Sequence, residues 1–111
     1  VVGLNFHKYF LSDSDNYSIK DILNHAYHFL SLGGEDNLCI GTDMDGSDLV
    51  DGFSSSSDFN KLYNSFIENN FKKSVVNKIF FENGMKLWHL AQYSVECKIG
   101  NMYWKEDKNV I

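Results

Sequence analysis

Two carboxylates separated by one residue form the most chemically suggestive pattern in the sequence. Asp43 and Asp45 directly follow the apolar segment LCIGT at 38–42, which has the composition of a buried strand. Parallel α/β sheets bind their ligands at the carboxyl ends of the strands. Because alternate residues of an extended segment point the same way, both carboxylates face one site if strand geometry continues through Asp45. A simple turn at Asp45-Gly46, capped by Asp43, is the open alternative.

The histidines and cysteines do not have the spacing of a metal site. His25 and His28 lie about one turn apart on a predicted helix, whereas paired zinc ligands on a helix are spaced by four residues with a glutamate between them. An EF-hand loop starting at Asp43 would need glycine at its sixth position, but Gly46 is fourth. Cys39 lies in an apolar run and is expected to be an inert buried thiol. We therefore expect no metal ligands from this chain.

The composition argues against several kinds of partner. The chain has 111 residues, a net charge of -5, and ten lysines but no arginine. Nucleic-acid binding draws on clustered cationic side chains, and the densest basic pair is Lys72-Lys73, so no nucleic-acid partner is expected. No stretch approaches the roughly 18 consecutive apolar residues of a membrane span, so no membrane insertion is expected. Two cysteines without a paired spacing favour a reducing compartment, and we predict a cytoplasmic location.

The elements that position the two aspartates are predicted to follow the order strand, helix, strand. Val1 to Phe6 has the composition of a buried strand. Ser18 is predicted to cap a helix with Asp21 in its first turn and an exit at Gly33-Gly34. The apolar face of this helix comprises Ile19, Ile22, Leu23, Ala26, Phe29 and Leu30. A helix that links two buried strands predicts a parallel crossover and therefore an α/β fold.

Two further helices are predicted after the serine-rich loop 46–57. The first runs from about Asp58 to Asn69 and is capped by Ser57 or Asp58, and the second begins near Ser74. Both have the apolar face of helices that pack on the outside of a sheet. We expect residues 1–92 to form one βαβα segment and residues 93–111 to form a C-terminal tail.

Four stretches of the chain resemble, in order, the C-terminal part of the renal, or membrane, dipeptidase family. Residues 32–46, which end in TDMDG, are similar to the family's passage from the seventh helix into the eighth strand, which carries a Gly-Ser/Gly-Asp-Phe-Asp-Gly signature. VGLNF at 2–6 resembles the seventh strand, HAYH at 25–28 the paired-histidine helix, and VNKIFFENGM at 76–85 the final helix. Thr42, Met44 and the HKY segment at 7–9 depart from the family's usual residues.

The resemblance implies an α/β chain that forms the C-terminal portion, about strand 7 to helix 8, of a (β/α)₈ TIM barrel. Enzymes of this family hydrolyse a dipeptide substrate with a water that two zinc ions activate. Carried over by position, Asp43 is the catalytic residue that accepts the proton of this water, Asp45 has a supporting role, and Phe10 contacts the substrate. The zinc ligands belong to earlier strands. The chain alone is therefore expected to be inactive and to need the missing N-terminal barrel strands or a homo-oligomer.

Two other interpretations stay open. Asp-x-Asp-Gly-Ser after a strand also resembles the haloacid-dehalogenase-like phosphatases, in which Asp43 would be the nucleophile and Asp45 the general acid beside magnesium. The chain is alternatively a non-catalytic remnant of a barrel.

Overall fold

A computed structural model of the protein describes the backbone of residues 1–99 and the side chains of residues 1–92. Its elements are β1 (Val2–Leu4), α1 (Lys8–Leu11), α2 (Ile19–Ser31), β2 (Leu38–Ile40), α3 (Phe59–Glu68), α4 (Lys73–Asn77) and α5 (Asn83–Ile99). A 3₁₀ turn, Ser56–Asp58, leads into α3, and a π-helical turn, Lys78–Glu82, joins α4 to α5. Helix α5 crosses the boundary predicted at residue 92, and the rest of the predicted tail, residues 100–111, lies outside the described residues.

The two strands are parallel, and α2 is the crossover between them. Val2 pairs with Leu38 at the start of the ladder. The backbone N–H of Val2 donates to Asn37 O at 2.7 Å, and Gly41 N–H donates to Leu4 O at 3.1 Å, so the pairing continues beyond the ends of β2. The mixed helix and strand arrangement agrees with the predicted α/β class.

Helix α2 begins and ends at the residues that its capping pattern predicts. The backbone N–H of Ser18 donates to the Asp21 carboxylate at 2.9 Å. Gly33 leaves the helix with φ at 86°, a left-handed conformation that glycine adopts without a steric penalty. The buried residues of the helix are Ile22, Leu23 and Ala26. The amphipathic pattern therefore predicted both the helix and the face that it buries.

The helix predicted from Asp58 has an additional turn at its start. The carboxylate of Asp58 accepts hydrogen bonds from the backbone N–H groups of Ser54 at 2.9 Å and Ser55 at 3.2 Å. The prediction placed the cap at Ser57 or Asp58, but the helical conformation already begins at Ser56 as a 3₁₀ turn, so Ser55 is the N-cap and Asp58 is the third residue of the segment. As the residue before α3, Asp58 makes no side-chain capping hydrogen bond to that helix. The same hydrogen bonds lower the pKa of Asp58, because they form with its charged state.

The loop after β2 is held against the residues that follow β1. Val50 N–H donates to Phe6 O at 3.1 Å, and Lys8 N–H donates to Asp48 O at 2.9 Å. The ring of Phe53, on the same loop, packs edge-to-face on Phe6 with the ring centroids 4.9 Å apart, and both side chains are almost fully buried. This loop, which the sequence indicated only as serine-rich, is therefore part of the core and lies at the carboxyl ends of both strands.

The last helical segment is nearly continuous from Lys73 to Ile99 and includes the helix predicted from Ser74. Its inner face contributes Val76 and Ile79 to the core. Among the described residues, no helix has both the length and the apolar character needed to cross a bilayer.

Candidate active site at the carboxyl end of the strands

Asp43 lies where β2 ends, at the edge of the sheet where parallel folds bind ligands. The extended backbone persists to Thr42, whose carbonyl oxygen accepts the backbone N–H of Phe6 at 3.3 Å. Asp43 then turns into the left-handed region with φ at 57°, and Asp45 does the same with φ at 69°. Strand geometry therefore does not continue through Asp45, and the alternation that would have turned both carboxylates to one site is absent.

Residues 43–46 form a tight turn that three hydrogen bonds hold. Gly46 N–H and the Ser47 hydroxyl both donate to Asp43 O at 3.1 Å, and Met44 N–H donates to Thr42 Oγ1 at 3.1 Å. Aspartate tolerates the left-handed region better than most residues. Non-glycine residues held in this region are enriched at functional sites. The turn hypothesis and the active-site hypothesis are therefore compatible.

Gly46 leaves the space that the Asp43 carboxylate occupies. A Cβ atom at position 46 would lie 2.6 Å from Asp43 Oδ1, well inside van der Waals contact. A side chain at position 46 would consequently displace this carboxylate. This close approach explains why glycine, and no residue with a side chain, fits at the last position of the Asp-x-Asp-Gly motif.

A cavity of about 430 Å³ opens beside the turn, lined by Met44, Asp45 and residues 47–54. Asp43 itself is exposed at the start of this loop. Three aspartates, Asp45, Asp48 and Asp51, contribute to the lining. Lys61 approaches the same loop and donates to Gly52 O at 3.3 Å. The carboxylates therefore outnumber this cation, and the cavity carries an excess of negative charge.

Phe10 lines a cavity other than the one beside the turn. Its side chain is 70% exposed, and its ring contacts that of His7 edge-to-face at 4.7 Å between centroids. It lines a second cavity, of about 240 Å³, together with β1 residues, His25 and His28. Neither Asp43 nor Asp45 lines that cavity, and Phe10 does not line the cavity beside the turn. A substrate contact by Phe10 stays a prediction.

The described residues do not fit a zinc centre of their own. Within residues 1–92, no three histidine, cysteine, aspartate or glutamate side chains gather closely enough to bind a metal ion. His25 Nε2 lies 2.8 Å from Leu11 O, a backbone partner that occupies one of its ring nitrogens. Cys39 is half-buried, and burial raises the pKa of its thiol, which disfavours the metal-binding thiolate.

The residues that hold the turn were not among the sequence predictions. Thr42 and Ser47 contribute their hydroxyls; Thr42 directly precedes Asp43, and Ser47 directly follows the Asp45-Gly46 pair. Serine and threonine next to an Asp-Gly pair often hydrogen-bond the backbone of a turn. This local signal was present in the sequence and would have favoured the turn over continued strand.

Comparison with known proteins assigns the family. Residues 1–98 match the membrane dipeptidase family, peptidase family M19. The match covers most of the chain, so the protein belongs to this family, and the resemblance read from four sequence stretches is confirmed.

One curated relative adds a measure of length. A Klebsiella pneumoniae protein described as "Uncharacterized protein in pqqA 5'region" is 28% identical to this chain over an alignment of 92 residues, with 78% of the chain and 34% of the relative covered. The chain spans about a third of the length of this relative.

Proposed function

We propose that this chain supplies the portion from about strand 7 to helix 8 of a dipeptidase barrel, and that Asp43 is a catalytic carboxylate in dipeptide hydrolysis. The observation that carries the proposal is the place of Asp43. It is exposed at the carboxyl end of a strand that is parallel to its neighbour, in a chain of the membrane dipeptidase family. Enzymes with parallel α/β barrels have their catalytic groups at this end of the strands.

The proposed role of Asp43 is proton transfer. A carboxylate at the site accepts a proton as water attacks the peptide carbonyl, and the resulting acid returns the proton to the departing amine. The constrained turn at residues 43–46 supports this role, because a general base must be held within hydrogen-bond reach of the water. Asp45 lies in the adjacent turn and is proposed to support the loop rather than to transfer the proton.

Zinc enters the proposal only as the cofactor of the family. The described residues do not assemble a ligand set for it, so we derive no step through the metal. Its ligands are proposed to come from the N-terminal barrel strands that complete the fold, and the chain alone is proposed to be inactive.

The negative charge of the cavity is compatible with a dipeptide substrate. Asp45, Asp48 and Asp51 attract the free ammonium group of a dipeptide. Asp43 and Asp45 also have left-handed backbone conformations, so they are not alternate residues of an extended strand. The haloacid-dehalogenase interpretation of these two aspartates therefore gains no support.

The partner of β1 is proposed to be a further strand. Val1 is 52% exposed and Val2 is 48% exposed, and β2 is the strand hydrogen-bonded to β1 within the described residues. The opposite edge of β1 is available to the missing N-terminal barrel strands or, in their absence, to a second copy of the chain. The cytoplasmic location stays a prediction.

The test is a pair of assays on the natural protein that contains this chain. Hydrolysis of a simple dipeptide is measured with zinc, and hydrolysis of a simple phosphate ester with magnesium. We expect turnover of the dipeptide and none of the ester. Turnover of the ester alone would favour the phosphatase, and turnover of neither would favour a non-catalytic remnant.

A further inference from the structure

The buried side chain of Asn83, at the start of α5, contacts the backbone near β2. Asn83 has no solvent exposure. Its Nδ2 atom donates to Glu35 O at 2.9 Å and to Leu38 O at 2.8 Å. Both protons of the side-chain amide are therefore used, and both go to backbone carbonyls on the approach to β2 and at its first residue.

Asn83 binds the edge of β2 that faces away from β1. Asn37 O and Gly41 N–H bond to β1, and successive residues of a strand direct their backbone groups to opposite edges. The carbonyl of Leu38 therefore points to the far edge of β2. At that edge, the amide of Asn83 donates to the first carbonyl group of β2.

The chemistry of the contact explains why the residue is asparagine. Two donors on one nitrogen are needed to reach two carbonyl oxygens, and asparagine supplies them on a short side chain. Aspartate has the same shape, but its ionised form only accepts hydrogen bonds and would face two carbonyl oxygens. Asn83 Oδ1 is buried and has no partner within the described residues. Burying Oδ1 without a partner costs free energy, so the two hydrogen bonds that Nδ2 donates are the feature that favours a polar side chain at this position.

The backbone around Asn83 is also specialised. Its N–H bonds to Lys78 O, five residues earlier, and so closes the π-helical turn. Such turns often occur at functional sites. Lys78, on the same turn, forms exposed ion pairs with Glu35 at 2.6 Å and Asp36 at 2.9 Å. One turn of helix therefore binds the loop before β2 through both a buried amide and a surface ammonium.

We infer that Asn83 is a positioning residue, whose amide fixes the start of β2 and thereby the place of Asp43 at its end. The inference rests on the proposed function of Asp43. The connection is short, because β2 has three residues and only Gly41 and Thr42 separate it from Asp43. On the β1 side the strand is held by its ladder, and on the far side by Asn83.

The experiment measures amide hydrogen exchange by NMR in the natural protein, its Asn83→Asp variant and a control, Lys78→Ala, which removes only the exposed ion pairs. The reporters are the N–H groups of Gly41 and Phe6, which hydrogen-bond across the ladder and beside Asp43. In Asn83→Asp at neutral pH we expect their protection factors to fall about tenfold or more, while that of Phe66 in α3 changes by less than about threefold. Lys78→Ala should leave all three within about threefold.

Acidification distinguishes the loss of the two hydrogen bonds from a general loss of packing, because only the former is partly reversed when the introduced carboxylate is protonated. At about pH 4.5 a buried carboxyl group is protonated and donates one hydrogen bond, so protection at Gly41 and Phe6 should partly return in Asn83→Asp. If that variant does not fold at neutral pH, Asn83→Ser, which keeps one donor, is measured instead, and its ladder protection should lie below that of the natural protein. Unchanged protection in a folded variant, or an equal loss at Phe66, would overturn the inference.

Kinetics separate this inference from the proposed function. If the natural protein hydrolyses dipeptides, Asn83→Asp should lower kcat with little change in KM, since it displaces a catalytic group and not the bound substrate. If the natural protein hydrolyses none, the proposed function fails, whereas the exchange experiment still decides whether Asn83 holds β2.

Discussion

Single residues that follow β2 determine how the backbone at Asp43 and Asp45 turns. The sequence predicts Asp43 as a site residue because an apolar segment is followed by Asp-x-Asp-Gly, which resembles the family signature. The sequence left a turn open as the alternative to continued strand, and in the structure the hydrogen bonds from Gly46 and Ser47 hold the turn. The hydrogen bonds of the turn therefore prevail over the extended conformation, in which alternate side chains would point the same way.

The substitution Gly46→Ala tests the geometry of this turn. The added methyl group would lie 2.6 Å from Asp43 Oδ1, so the carboxylate must rotate away. We expect kcat/KM for a dipeptide to fall about 10- to 100-fold, because a displacement near 1 Å costs roughly that much in a catalytic site. Thermal unfolding should change little, since the turn is exposed.

Gly84→Ala is the matched control for Gly46→Ala. A Cβ atom at Gly84 meets nothing within 4 Å, and alanine is the better helix former. Equal kcat/KM values for the natural protein and Gly46→Ala would contradict the steric account of the turn.

At the scale of elements, local signals identify helices better than the irregular turns that join them. Ser18, Asp21 and Gly33 set the ends of α2 through contacts within a few residues, so the sequence predicts them. The π-helical turn at Lys78–Glu82 lies beside Asn83, which bonds to residues more than 40 positions away in the chain. A pattern of nearby residues contains no such information, and this turn was not predicted.

The start of α3 should make stability depend on pH. Hydrogen bonds from Ser54 and Ser55 lower the pKa of Asp58 from its usual 3.8. A lowered pKa contributes stability that is fully present above the unfolded value and is lost as the pH falls through the folded value. The natural protein should therefore lose stability relative to Asp58→Asn as the pH falls from about 5 towards 2.

Urea unfolding of the natural protein and Asp58→Asn across that pH range measures the effect. The difference in the free energy of unfolding should be constant above about pH 5 and shrink below about pH 4. A difference that grows on acidification would contradict the capping role of Asp58.

In the part of the chain that the structure describes, one edge of β1 has no strand partner. A two-stranded sheet is marginal without further strands or packing, and one edge of this sheet is lined by half-exposed valines. Family membership follows from the sequence. The described residues supply one strand partner of β1, which is β2, and they do not identify a second. The barrel is accordingly a proposal, and the parallel pair is an observation.

Val2→Lys tests the edge of β1. A charged side chain on an exposed strand edge opposes pairing with another strand. We expect the 111-residue chain to self-associate in sedimentation velocity and Val2→Lys to shift it towards the monomer. Lys20→Glu, at an exposed position of α2, is the control for a change of charge and should not alter the association. A natural chain that is monomeric at all concentrations would argue against an available edge.

The measurement that tests the central claim most directly compares Asp43→Asn with Asp45→Asn in zinc-dependent dipeptide hydrolysis by the natural protein. Both substitutions keep the shape of the side chain and remove one carboxylate, so they differ only in which aspartate is lost. If Asp43 transfers the proton, Asp43→Asn should lower kcat about 10²- to 10⁴-fold, while Asp45→Asn should stay within about tenfold of the natural enzyme. A larger loss in Asp45→Asn, or full activity in Asp43→Asn, would contradict the account.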